Sequence, residues 1–265
     1  MEKYILITGA ASGIGKETTK ILLNKGYKVI AIDINEIDLQ DNLIPMQCDI
    51  TKNDEYLTGV ELYLNVNNIK LDAIINVAGI HKMASLVETE YEQLKKLIDI
   101  NLLGTININN RFHSYLSEKG KIIIVTSEVA EFDPLPFNGL YNISKTALDC
   151  YAQALRQELN LLNQKVITIR PGSIKTPLSD GSLIDTEKLA NETILYKSQA
   201  NKFLKLTKKF MGKVIEPEKV GKLIVKTIEK KRTKYVYKIN RNFLLSILNF
   251  LPKRLQCFII KTILK

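Results

Sequence analysis

The sequence is poor in the residues that hold metals or staple extracellular folds. It has two histidines, His81 and His113, far apart, and three widely spaced cysteines, Cys48, Cys150 and Cys257. Neither set has metal-ligand spacing, and the cysteines fall short of a secreted disulfide framework, so no metal and a reducing, cytoplasmic setting are expected. No apolar run reaches the roughly 18 residues of a spanning helix. The N-terminal segment passes from a short apolar stretch straight into a glycine turn, too short for a signal-peptide core. Helix-turn-helix, zinc and aromatic RNA-binding motifs are missing too. The net charge of +10, from 38 Lys and Arg against 28 Asp and Glu, therefore makes no case for nucleic acid. An anionic ligand or an anionic membrane surface remains compatible with it.

What the sequence has is length and alternation. With 265 residues, 45% of them apolar, the chain can bury a sizeable core, and a single domain over 1–265 is expected. Short β-branched runs at 4–8, 27–33, 42–49, 73–77, 121–126 and 165–170 read as strands. Amphipathic stretches separate several of them, including 16–25 and 140–162, and a further helix is expected over 217–230. Strand and helix in alternation predict an α/β fold, a doubly wound parallel sheet in three α/β/α layers, because each crossover must return along one face. Ligands of such sheets bind beyond the C-terminal strand ends.

Thr8-Gly9-Ala10-Ala11-Ser12-Gly13-Ile14-Gly15 follows the first strand and precedes a helix, so its backbone N–H groups can face a pyrophosphate at a helix N-terminus. Asp33 closes the second strand, where a carboxylate can accept from adenosine ribose hydroxyls and repel a 2′-phosphate. Ile34 stands where an arginine could have served that phosphate, and Ser12 rather than a basic residue precedes Gly13. NAD is therefore favoured over NADP.

The glycine spacing resembles that of the classical short-chain dehydrogenases/reductases, which share this Rossmann fold. Cys48-Asp49-Ile50-Thr51 resembles the family's segment beside the adenine ring. Asp72-Ala73-Ile74-Ile75-Asn76-Val77-Ala78-Gly79 resembles its fourth strand and Asn-Asn-Ala-Gly turn, with Val77 in place of the second asparagine. Pro171-Gly172-Ser173-Ile174-Lys175-Thr176 resembles the segment lining the nicotinamide. The resemblance implies that Asp49, Ile50, Asn76, Ala78, Gly79, Pro171 and Gly172 bound the cofactor site. Ile174 would offer backbone contacts to the carboxamide, and Thr176 a hydroxyl to it or to a phosphate.

Tyr141 and Lys145 are four apart on the helix 140–162 and so share a face. A phenol with a pKa near ~10 is a poor base at neutral pH, but a nearby ammonium favours the phenolate. The spacing alone decides nothing, since Tyr91 with Lys95 and Tyr115 with Lys119 repeat it. Ser127, just past the strand 121–126, sets Tyr141 apart, because neither decoy has such a serine upstream. Asn101, in Asp99-Ile100-Asn101-Leu102-Leu103-Gly104, resembles the family asparagine that helps hold a water in the proton relay, midway along a helix. The resemblance implies that Tyr141 moves the proton, Ser127 holds the substrate oxygen, and Lys145 tunes Tyr141 and binds ribose. The implied activity is NAD(H)-dependent interconversion of a secondary alcohol and a ketone, by a homodimer or homotetramer.

Residues 178–211 occupy the place of a substrate lid, with a solvated helical pair as the alternative. From 234 to 265 there is no acidic residue and seven are basic, between apolar clusters flanking Pro252. Such a tail suits a membrane interface, an apolar pocket or a partner subunit, and these remain open. Resemblance to members acting on steroid-like and retinoid-like compounds points to a lipophilic substrate. A non-catalytic NAD sensor acting through the tail is the rival, but a sensor does not need Asn101, Ser127, Tyr141 and Lys145 together.

Overall fold

The computed structural model describes residues 2–52, 55–210 and 214–265. Its centre is a seven-stranded, wholly parallel sheet of β1 (Tyr4–Thr8), β2 (Lys28–Asp33), β3 (Leu43–Gln47), β4 (Leu71–Asn76), β5 (Leu116–Val125), β6 (Lys165–Pro171) and β7 (Val236–Ile239), in the order β3-β2-β1-β4-β5-β6-β7. The alternation of strand and helix thus resolves into the doubly wound class.

Both faces of the sheet are covered, so its central strands are apolar throughout rather than alternating with polar residues. Successive side chains point to opposite faces. Ile122 and Ile124 of β5 enter one core with Leu6, Ile30 and Ile74, while Ile123 and Val125 enter the other with Ile5, Ile7 and Ala31. Helices α1 (Gly13–Asn24) and α8 (Pro217–Glu229) cover the second face. The first is covered by α2 (Glu55–Val66), α4 (Gly104–Phe112) and α5 (Gly139–Asn160). Helix α3 (Tyr91–Ile98) leads into α4 through a π-helical turn, Asp99–Leu103.

Lys121 is buried where regular pairing of β5 with β4 begins. Its ammonium donates to the carbonyls of Thr227, Ile228 and Lys230 and so meets the C-terminal end of α8, the negative pole of that helix.

Beyond β6 come α6 (Pro177–Glu192) and α7 (Lys197–Phe210). They fill the stretch expected to form a lid, of which Met211 lies outside the described residues. The basic tail opens with an element the sequence did not announce. Edge strand β7 pairs Val236 to Ile239 with Thr168 to Pro171. At four residues and only half-buried, it carries no apolar run to mark it. Helices α9 (Phe243–Phe250) and α10 (Lys253–Leu264) follow. Among the described residues no helix is long and apolar enough to cross a membrane.

Candidate active site

A cavity of about 980 Å³ runs from the glycine turn, past Tyr141 and Lys145, to helices α6, α7, α9 and α10. It opens beyond the C-terminal strand ends, where the strands hand over to loops.

At the first end, Gly9 and Gly13 have positive φ, +71° and +51°, which L side chains rarely adopt. A Cβ on Gly9 would sit 2.7 Å from the Ala78 nitrogen, and one on Gly15 would lie 1.9 Å from the Gly9 carbonyl oxygen. The turn must therefore be glycine-rich to fold back on itself. Ser12 is the N-cap of α1, but its side chain caps nothing, so the N–H groups of the first turn lack that partner. Ser12, Gly13 and Ile14 line the cavity.

Asp33 reaches the same wall from the end of β2. Its Oδ2 accepts from the Ala11 N–H at 3.0 Å and its Oδ1 from the Asn35 N–H at 2.9 Å. Asp49 and Ile50 line the next stretch. The Asp49 carboxylate closes an Asx turn on Thr51, and the Ile50 side chain packs where a Cβ on Gly104 would stand. Ala78 and Gly79 continue the wall.

Three of the expected cofactor residues and Asn101 stand behind that wall rather than in it. Thr8 is buried and its hydroxyl accepts from the N–H groups of Val77 and Ala78, tying the first strand end to the fourth. Gly15 packs under the turn. Asn76 donates to Asn109 inside the core, 2.8 Å away. Asn101 sits in the π-helical turn, where the helix register shifts. Its amide accepts from the Ile80 N–H at 2.7 Å and donates to the Ile80 carbonyl and to the Ser144 hydroxyl. These bonds pin the loop after Gly79 to α5.

Ser127, Tyr141 and Lys145 meet at the centre of the cavity wall. Tyr141 and Lys145 lie in the first two turns of α5, and the Lys145 nitrogen is 5.9 Å from the Tyr141 ring centroid. It donates to the Val125 carbonyl at 3.3 Å. Burial pushes the Tyr141 phenol up to about 12, with a hydrogen bond to Ser127 pulling the other way. Burial likewise pushes the Lys145 ammonium down to about 8. Desolvation outweighs the attraction the sequence suggests between ammonium and phenolate, because both groups are buried. The two decoys fall away: Tyr91 is exposed, with Lys95 paired to Asp99, and Tyr115 and Lys119 lie in a 3₁₀ turn and a strand.

The segment after β6 closes this first end of the cavity. Pro171 ends the strand and Gly172 follows, where a Cβ would strike the Asn240 carbonyl oxygen at 1.9 Å. Ile174 is buried and bridges to Ile215. Thr176 caps α6, its hydroxyl accepting from the Ser179 N–H in a reciprocal capping box, so that oxygen is already engaged.

Two residues that sequence reasoning passed over also line this cavity. The His81 ring centroid is 4.2 Å from that of Tyr141, and burial pushes its imidazole down to about 4, keeping it neutral. Glu128 is buried beside Ser127, and its Oε2 accepts from the Asn242 N–H at 2.7 Å. Glu128 directly follows Ser127 and His81 stands two residues beyond Gly79, which is the mark the sequence carries. At the far end, the apolar wall includes Leu183, Phe203, Leu206, Leu248 and Ile260.

The parallel sheet, the glycine turn at a helix N-terminus and the acidic end of β2 are those of a dinucleotide-binding α/β enzyme class. The chain belongs to the short chain dehydrogenase family, whose model matches residues 3–186. It is 31% identical over 203 residues to an NADPH-dependent 1-acyldihydroxyacetone phosphate reductase of Schizosaccharomyces pombe, covering 74% of this chain and 68% of that one. It is 27% identical over 239 residues to a 3-ketodihydrosphingosine reductase of Bacteroides thetaiotaomicron, covering 89% and 87%. A solved short chain dehydrogenase family protein from Francisella tularensis superposes with a TM-score of 0.75 at 27% identity, over 90% of this chain and 97% of the other.

Proposed function

We propose that this protein is an NAD(H)-dependent oxidoreductase interconverting a secondary alcohol and a ketone on a lipophilic small molecule. The observation that carries the reading is the meeting of Ser127, Tyr141 and Lys145 on the wall of one cavity whose two ends differ in chemistry. One end has uncapped helix N–H groups and the Asp33 carboxylate, which fit a dinucleotide. The other is apolar.

When bound, the nicotinamide supplies or accepts the hydride. Tyr141 handles the proton at its phenolic oxygen. With its phenol pushed up to about 12 by burial, Tyr141 holds its proton at neutral pH, the state that protonates a ketone oxygen during reduction. Ser127 presents its hydroxyl to the same oxygen. Lys145 binds ribose and places its ammonium near the phenolate that Tyr141 becomes when it gives up its proton. Asn101 acts behind them, fixing the loop that carries Gly79 and His81. Asp33 favours NAD, since its carboxylate repels a 2′-phosphate; the S. pombe relative is named for NADPH, which makes this preference the point to measure. The two relatives act, by name, on lipid ketones, in keeping with the apolar end of the cavity. Helices α6 and α7 serve as the lid over that end.

The test is to purify wild type and Tyr141→Phe, confirm that both bind NADH, and follow reduced-nicotinamide absorbance with ketones from sugars to long-chain keto lipids. Turnover of a lipophilic ketone by wild type, reduced at least about a hundredfold in Tyr141→Phe, supports the reading. Cofactor binding without turnover of any ketone by wild type would favour a sensor instead.

A further inference from the structure

Helix α9 is apolar at six of its eight positions, and none of the eight is buried. A helix apolar nearly all round is stable against water only if something covers both faces. One face has a partner: Leu244, Leu245 and Leu248 line the cavity. The other, Phe243, Ile247 and Phe250 at i, i+4 and i+7, faces solvent, with Phe243 74% and Phe250 91% exposed. Helix α10 repeats the division. Ile259, Ile260, Ile263 and Leu264 line the cavity, while Leu255 and Phe258 are exposed. Exposed aromatic and aliphatic residues collected on two neighbouring helices mark an interaction surface rather than ordinary scatter.

Charge selects the occupant. Phe258 lies on a stripe with Arg254 and Lys261, at spacings of four and three, and no carboxylate pairs with either cation among the described residues. The tail cations that do have partners, Lys238 and Arg241 with Glu131 and Lys253 with Asp133, hold the tail to the segment following Ser127. A second copy of this chain docking face to face would set Arg254 and Lys261 against cations of the same kind, which is costly. An anionic lipid surface meets both the apolar stripe and the free cations.

We propose that α9 and α10 seat the protein on an anionic lipid surface with the rim of the substrate cavity facing the bilayer. Leu244 and Ile263 line the cavity and are still 56% and 52% exposed, so the rim lies on this surface. A lipophilic ketone then passes from bilayer to active site without crossing water, a consequence that rests on the proposed function.

The test is co-sedimentation of the full chain with vesicles of phosphatidylcholine alone or with phosphatidylglycerol added, for wild type, Phe250→Ser/Phe258→Ser and Arg254→Glu/Lys261→Glu. None of these four side chains lines the cavity. Wild type is expected to bind the anionic vesicles, to bind neutral ones less, and to lose binding as salt rises. Each double variant is expected to lower the bound fraction by about tenfold or more while keeping the wild-type melting temperature and its turnover of a short, water-soluble ketone. Failure of wild type to bind either vesicle overturns the proposal. So does a wild-type dimer that Phe250→Ser/Phe258→Ser converts to monomer, since the face would then join two copies. Turnover without vesicle binding defeats only the docking; vesicle binding without turnover of any ketone defeats only the proposed reaction.

Discussion

Among the site residues, Lys145 and Tyr141 carry the clearest pH signature. The folded state holds Lys145 at about 8, below the ordinary 10.5. The unfolded chain therefore binds more protons between those values, and stability rises with pH across that window. Tyr141 is raised from 10 to about 12, so its contribution is complete below pH 10 and is lost as pH climbs to 12. Without cofactor, wild type should gain resistance to urea from pH 8 to 10. Lys145→Met should be more stable than wild type at neutral pH, by on the order of 2 kcal/mol, and should show a shallower rise, the remainder coming from Lys121, which burial also holds at about 8; parallel urea profiles would contradict this. Asp33 makes a second residue-scale prediction. Asp33→Ala removes a charged acceptor of the kind worth about 1.5–3 kcal/mol together with a repulsive charge. The ratio of kcat/KM for NADH over NADPH should fall by about tenfold or more, and an unchanged ratio would show that Asp33 does not select the cofactor.

Single elements decide where these groups stand. The sequence placed Asn101 midway along a helix, and a helix does pass through it, but as a π-helical turn between α3 and α4. Periodicity over a dozen residues does not register one extra residue in a turn, so the distortion was not readable. Its effect is a buried amide bonded to both sides of Ile80 and to Ser144. Asn101→Ala leaves the Ile80 N–H without that partner and should destabilise the fold by about 2–3 kcal/mol. Thermal unfolding should show a drop of several degrees, and kcat should fall as the loop carrying Gly79 loosens. The long apolar strands and α5 were legible because their patterns are strong and local. Strand β7 was not, because a short edge strand acquires its identity from the neighbour it pairs with.

Over the whole molecule, the tail is joined by charge to the segment that follows Ser127. Glu131 faces Arg170, Lys238 and Arg241, and Glu128 receives the N–H of Asn242 at the start of α9. The tail thus packs against the loop that follows Ser127 and walls the cavity. Glu131→Ala removes the shared partner of two half-exposed cations, Lys238 and Arg241, and of Arg170, which keeps Asp149, and should cost roughly 1 kcal/mol. Hydrogen exchange over 236–250 should quicken, and KM for a long-chain ketone should rise more than KM for a short one. Uniform exchange across the chain would mean that the tail is held by apolar packing alone.

The sequence by itself determined the doubly wound sheet, the glycine turn and the helix that carries Tyr141 and Lys145 about one turn apart, because each is written in local periodicity or spacing. Only the tertiary structure decided that Thr8 and Asn76 brace the site from behind, that His81 and Glu128 enter it, and that a basic tail serves as one wall of an apolar cavity. Those outcomes depend on residues brought together from distant parts of the chain, and no local pattern encodes which distant partner a side chain will meet.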